Sequence, residues 1–232
     1  MDKKLIAMIP ARLGSKRIPR KNIRYMGDKP LIHYPIEMAK SVNRFDSIWL
    51  NTESEELGRL SSAMGIGFHK RADELAGDTA TNREFTYEFL QQHICDYVVM
   101  INSTSPLLRK ETVERFLDYV TDNDFDTVLS VISEKEEVFY NGKPLNFSLQ
   151  EKINSQLLEP VETICWSLTA WKRETFMKLQ EQGSNPVFGG VIGRFVIPKD
   201  EACDLDTLED WKIAEGILMS RINIFEERYM EL

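Results

Sequence analysis

The sequence predicts a three-layer α/β fold built on a mostly parallel sheet. Short buried-strand patterns alternate with stretches of helical period along most of the chain, and that interval implies crossover helices covering both faces of the sheet. The chain has 232 residues, of which 42% are hydrophobic. That supplies one substantial core, whereas two domains would each be small. A single domain over 1–232 is therefore expected.

Lys4 to Ile9 reads as a buried strand closed by Pro10, with a polar, glycine-containing loop behind it. Leu31, Tyr34, Met38 and Val42 fall at helical spacing, so 31–42 is expected to be helical, with Pro35 tolerable only in the first turn. Ser47 to Asn51 gives the second strand, Ser54 to Met64 a helix opened by a serine cap, and Ile66 to His69 the third strand. Thr81 to His93 and Lys110 to Val120 read as helices, with strands at Asp96 to Ile101 and Asp126 to Ile132. From Ser133 to Glu162 the alternation breaks, and Asn141–Gly142 and Lys143–Pro144 mark turns, so 133–162 is an excursion from the core. Strand, helix and strand resume at Ile164 to Trp171, Lys172 to Gln180 and Val191 to Ile197, and an amphipathic helix follows from Thr207 to Met219.

Charge narrows the function. The formal net charge is -8, so the average surface repels phosphate backbones, and no aromatic and basic platform offsets it; nucleic acid is not an expected partner. The longest apolar runs, such as Tyr97 to Ile101, are far shorter than a bilayer span, and Met1 to Lys4 leads straight into a strand without a secretion signal. Cys95, Cys165 and Cys203 are odd in number and widely spaced, which argues against a disulfide framework or a zinc site. The cytoplasm is the expected compartment, with no membrane partner.

Against this acidic background, Arg12, Lys16, Arg17, Arg20 and Lys21 place five cations within ten positions directly after the first strand. A solvated basic turn would also accept them. Position favours a ligand site, because in open α/β sheets ligands bind beyond the carboxyl ends of the strands. Backbone amides at Gly14 and Ser15, with lysine and arginine donors, suit a triphosphate. The loop lacks both the GxxxxGK[ST] and the GxGxxG spacing, so the common ATPase and dehydrogenase readings fall away.

Near the other end, Asp204–Leu205–Asp206 precedes the last helix. In an extended tripeptide the two carboxylates share one side and Leu205 points to the core. Two hard oxygen ligands suit a magnesium ion whose octahedron phosphates and waters complete. Asp206 with Glu209 also fits a helix capping box, which would account for Asp206 alone.

With both motifs in view, the chain resembles the sugar cytidylyltransferases, above all the CMP-sialic acid synthetases and their relatives acting on other nonulosonic acids. Residues 9–22, from Ile9–Pro10–Ala11–Arg12 to Arg20–Lys21–Asn22, match the family's signature loop nearly position for position. Lys70–Arg71–Ala72–Asp73–Glu74–Leu75–Ala76 is similar to its Arg-Pro-x-x-Leu-Ala segment, with Ala72 in place of proline. Thr104–Ser105–Pro106–Leu107 and Asp204–Leu205–Asp206–Thr207 match two further segments.

The resemblance implies a Rossmann-like fold of the nucleotide-diphospho-sugar transferase type, and transfer of CMP from CTP to an acidic sugar with magnesium as cofactor. It implies nucleotide contacts from Ala11, Arg12, Gly14, Ser15, Lys16, Asn22, Arg71 and Asn82, with catalytic roles for Arg12, Lys21 and Asp206. Asn102, Ser103 and Thr104 would meet the acceptor, and Asp204 and Asp206 the metal. The excursion falls where the family builds a dimerisation arm, which implies a homodimer. Departures gather on the acceptor side: Asn102–Ser103 replaces Gln-Pro, Asn82 replaces a serine, and Thr163 to Leu168 stands where the family has Asn-Gly-Ala-Ile-Tyr. Kdo or a non-sugar acid as acceptor, and a non-catalytic nucleotide-binding protein, are the alternatives. His33, His69 and His93 are scattered along the chain, and none is assigned as a base.

Overall fold

A computed structural model describes residues 3–222; residues 1–2 and 223–232 of the expected 1–232 domain lie outside the described residues. In chain order the elements are β1 (Leu5–Pro10), β2 (Tyr25–Met26), β3 (Lys29–Pro30), α1 (His33–Val42), β4 (Ser47–Thr52), α2 (Glu55–Ala63), β5 (Gly67–Lys70) and α3 (Asn82–Gln92). There follow β6 (Tyr97–Ile101), α4 (Lys110–Asp122), β7 (Thr127–Glu134), β8 (Phe139–Tyr140), β9 (Lys143–Pro144), β10 (Val161–Lys172), α5 (Arg173–Glu181), β11 (Ile192–Val196) and α6 (Leu208–Ile222).

The main sheet has seven strands in the order β11-β7-β10-β6-β1-β4-β5. β1 pairs in parallel with β4 and β6, β4 with β5, and β7 with β11. Among the described residues only β10 is reversed in this sheet, antiparallel to β6 on one side and β7 on the other. The sheet is mostly parallel, as the alternation of strands and helices predicts.

Strand alternation divides the core into two layers. Leu5, Ala7 and Ile9 of β1 and Tyr97, Val99 and Ile101 of β6 pack with Ile36, Leu57 and Phe116 from α1, α2 and α4. Ile6, Met8, Val98 and Met100 face the other way, onto Phe89 and Leu90 of α3 and Phe176 of α5. Helices therefore cover both faces.

Local signals behave as their chemistry requires. The Ser54 hydroxyl accepts from Leu57 N at 3.2 Å and caps α2. Pro35 lies in the first turn of α1, where its missing N–H costs nothing. Most boundaries shift by a residue or two, and three of the differences bear on the site or the arm. β7 runs on to Glu134 and β10 starts at Val161, paired Val161 with Glu134 and Glu162 with Ser133, so the ends of the expected 133–162 excursion belong to the sheet. Between them lies the β8/β9 hairpin, whose turn Asn141 and Gly142 take at φ 49° and 75°. α6 begins after Thr207, which forms a reciprocal cap with Asp210 rather than Asp206 with Glu209: Thr207 Oγ1 accepts from Asp210 N at 3.1 Å, and Asp210 Oδ2 accepts from Thr207 N at 2.7 Å.

A third, smaller core sits apart from the sheet. Ile18, Met26, Leu31, Leu107, Leu205, Trp211 and Ala214 pack together, all at or below 3% exposure. It joins the loop after β1, the aspartate tripeptide and α6 in one unit, with the Arg24 guanidinium 4.8 Å from the Trp211 ring centroid.

Candidate active site

β1 lies between β4 and β6, so the chain leaves it toward one half of the sheet and returns on the other. A crevice opens at such a switch point, beyond the carboxyl ends of the strands. Here it is a cleft of about 210 Å³. The loop after β1 lines it through Pro10, Ala11, Arg12, Ser15, Lys16, Arg17, Ile18, Lys21 and Asn22; Arg71 follows β5, Phe85 comes from α3, and Asn102, Ser103 and Thr104 follow β6. Ten residues expected from the sequence thus share one cleft. Asn82 and Asp204 line an adjoining pocket of about 280 Å³ with Pro10, Phe85, Met100, Asn102 and Trp166. Gly14 lines neither. The Ser15 amide is not free, since it donates to Leu13 O at 2.9 Å.

Lys21 links the two ends of the chain. Its Nζ donates to the Leu205 carbonyl at 2.5 Å, between the two aspartates. Burial pulls its pKa down, and the carboxylates of Asp204 and Asp206 push it back up. Leu205 is fully buried, as an extended tripeptide predicts. Asp206 pairs with Arg17 at 2.6 Å, and Asp204 accepts from the Thr104 hydroxyl at 2.7 Å. The two carboxylates therefore sit across from the cationic loop. Among the described residues no three His, Cys, Asp or Glu side chains form a ready-made metal cage. Asp204 borders the adjoining pocket, whereas Asp206 lines neither pocket and is held by Arg17; two carboxylates flanking the Lys21 contact beside a cationic cleft still suit an ion that keeps several waters and takes further oxygens from its ligand.

The inner wall is tightly held. Arg71 is 3% exposed; its Nε and Nη2 donate to Asn51 Oδ1 at 2.6 Å and Asn51 O at 2.8 Å, and its guanidinium lies 4.4 Å from the Phe85 ring centroid. Burial brings its pKa down to about 10. Asn22 donates from Nδ2 to Arg12 O at 2.8 Å, while its buried Oδ1 has no partner among the described residues.

Sequence reasoning missed Asp78. Its carboxylate takes Arg12 at 3.1 Å and also pairs with Lys16, and the hydrogen bond from Lys16 is the main cause of its lowered pKa. Both cations are thus neutralised by an anion that a bound phosphate would have to displace. The contacts are exposed and individually weak. Asp78→Ala is expected to lower the KM for the nucleotide about two- to fivefold with kcat unchanged; steady-state kinetics check it, and a raised KM would mean that Asp78 helps to hold the ligand. His69 and His93, distant in the sequence, meet in the fold: His69 Nδ1 and His93 Nε2 lie 3.1 Å apart, and His69 Nε2 bonds Glu88 at 2.9 Å. They are satisfied behind β5 and line neither pocket; burial and the neighbouring His69 lower the His93 pKa to about 4.

Fold and site together define a Rossmann-like α/β protein whose cleft suits a polyphosphate. Comparison with known proteins narrows the class. Residues 6–158 match the cytidylyltransferase family, and the chain belongs to it. It is 30% identical over 90% of its length to an N-acylneuraminate cytidylyltransferase A from Danio rerio, of which it covers 49%. It is 28% identical over 91% of its length to a pseudaminic acid cytidylyltransferase from Campylobacter jejuni, covering 95% of that protein. The chain thus spans about half the length of the fish relatives and nearly all of the bacterial one. A solved CMP:2-keto-3-deoxy-manno-octonic acid synthetase with CTP shares the fold at TM-score 0.66 and 18% identity, covering 94% of this chain and 99% of its own. A 4-diphosphocytidyl-2C-methyl-D-erythritol synthase from Anaerococcus prevotii does so at TM-score 0.65 and 13% identity, with 94% and 96% covered.

Proposed function

We propose that this protein transfers CMP from CTP to the anomeric hydroxyl of an acidic ulosonic sugar, a sialic acid or related nonulosonate, and releases pyrophosphate. The observation that carries this reading is the position of Lys21, which lines the cationic cleft while donating to the carbonyl between Asp204 and Asp206. The relatives named for acylneuraminate and pseudaminic acid support the acceptor class.

Arg12, Lys16 and Lys21 bind the triphosphate and stabilise charge as pyrophosphate departs, a case of preorganised electrostatics rather than covalent catalysis. The unpartnered Asn22 Oδ1 suits a donor such as the exocyclic amino group of cytosine, and the fixed Arg71–Phe85 wall supports a flat base. Asp204 and Asp206 would hold magnesium, which would supply positive charge to neutralise the phosphates and the leaving group. Asn102, Ser103 and Thr104 line the cleft where the acceptor would meet the nucleotide, and the Thr104 hydroxyl orients the Asp204 carboxylate.

A homodimer belongs to the same reading. The hairpin arm leaves Phe139, Tyr140, Leu149 and Leu157 exposed beside a groove of about 780 Å³ lined by Leu129, Val131, Leu145 and Ile192, which supports a second copy as their cover. A cytoplasmic setting fits free cysteines and the lack, among the described residues, of a helix long and apolar enough to cross a membrane.

The test is pyrophosphate release with magnesium across CTP, UTP, ATP and GTP and a panel of acidic sugars. CTP is expected to exceed the other nucleotides at least about tenfold, because a pocket polar group matched to a base edge rejects one that leaves it unpaired. Preference for UTP or ATP would overturn the reading.

A further inference from the structure

The pocket next to the cationic cleft is walled by Pro10, Phe85, Met100 and Trp166, with Asn82, Asn102 and Asp204 as its polar groups and no cation. It shares Pro10, Phe85 and Asn102 with that cleft, so the two form one continuous crevice. Trp166 reaches the pocket by an unusual route. The register of β10 on β7 shifts between Ile164 and Thr169, and within this irregular stretch Trp166 takes φ 58°, a conformation that bulky residues rarely adopt. Its ring meets Phe188 edge-on at 5.7 Å. Backbone in a sparsely populated region persists where the surroundings hold it, and such positions gather at ligand sites.

The geometry points to an acceptor that is a deoxygenated, acylamido-bearing acidic sugar, with Trp166 the residue that selects it over a fully hydroxylated one. This rests on the proposed function and specifies the substrate of that site. An ulosonic acid carries its reacting hydroxyl and its carboxylate on one carbon. That polar end would lie at the shared wall of Pro10, Phe85 and Asn102, toward the cleft that would hold the triphosphate. The remainder then extends along Met100, Phe85 and Trp166. Against those walls a hydroxyl would lose water without gaining a partner, whereas a methyl or acetamido methyl would be buried favourably. Asn82 and Asn102 provide amide donors and acceptors of the kind that match an acylamido group.

The test compares kcat/KM for N-acetylneuraminate, Kdo and a diacetamido tetradeoxy nonulosonate at saturating CTP, in the parent protein and in Trp166→Gly and Trp166→Phe. Glycine accepts the positive φ, so Trp166→Gly removes the wall without adding backbone strain. The deoxy acceptor is expected to lead N-acetylneuraminate by about tenfold or more, as small apolar differences in such pockets allow. Trp166→Gly should erase that lead through the acceptor KM while leaving the KM for CTP unchanged, and Trp166→Phe should keep most of it. Equal or better use of N-acetylneuraminate or Kdo would overturn the inference while the proposed function stands, as would a Trp166→Gly change in the CTP KM matching that of the acceptor. No CTP-dependent turnover with any acceptor would remove both.

Discussion

The double variant Asp204→Ala, Asp206→Ala is expected to lose about a thousandfold or more in CTP-dependent pyrophosphate release while remaining folded. Holding a metal against a triphosphate contributes several kcal/mol to the transition state, and each 1.4 kcal/mol, roughly, is tenfold in rate. The fold does not depend on either side chain. Asp204 is exposed, the Asp206 to Arg17 pair is largely solvated and so contributes little, and α6 is capped by Thr207 and Asp210. Thermal unfolding measured beside the rate separates the two effects. Turnover within tenfold of the parent would show that the carboxylates take no part in the chemistry.

The second large effect belongs to Leu205. Leu205→Ala opens a cavity among Ile18, Leu31, Leu107 and Trp211 and is expected to destabilise the protein by about 2–5 kcal/mol. The rate should also fall at least about tenfold in the fraction that remains folded, because the same side chain anchors the carbonyl that Lys21 uses and the two flanking carboxylates, and small misplacement of reacting groups is costly. Denaturant unfolding and rates at a temperature where the variant is folded check both parts. Leu205→Met, which conserves volume, should recover most of each. A folded Leu205→Ala protein with parental rate would separate the small core from the chemistry.

What could be read from the sequence was local. Strands such as Tyr97–Ile101, the Ser54 cap, Pro35 in a first turn and the burial of Leu205 each follow from a few neighbouring residues. The cationic loop and the aspartate pair were legible for the same reason, and the sheet then brings them together. Contacts between distant residues were not. Asp78 meets Arg12 across 66 positions, and His69 meets His93 across 24, with no periodicity to announce either. Thr207 rather than Asp206 caps α6 because the tripeptide stays extended one residue further, held by Leu205 in the small core. The irregular stretch at Trp166 left no glycine to mark it, and it was legible only as a departure from a familiar pattern.

The reversed strand has a consequence for how the chain assembles. Among the described residues β10 is the only strand that touches both β6 and β7, and it comes after every other described strand except β11. During synthesis, β1, β4, β5 and β6 can join as soon as they emerge, but β6 keeps a bare edge until residue 172 is available. β7, with β11 to follow, has nowhere to attach before then. The matched family region stops at 158, short of this keystone, so a fragment ending there would hold most of the cationic wall yet could not close its own sheet.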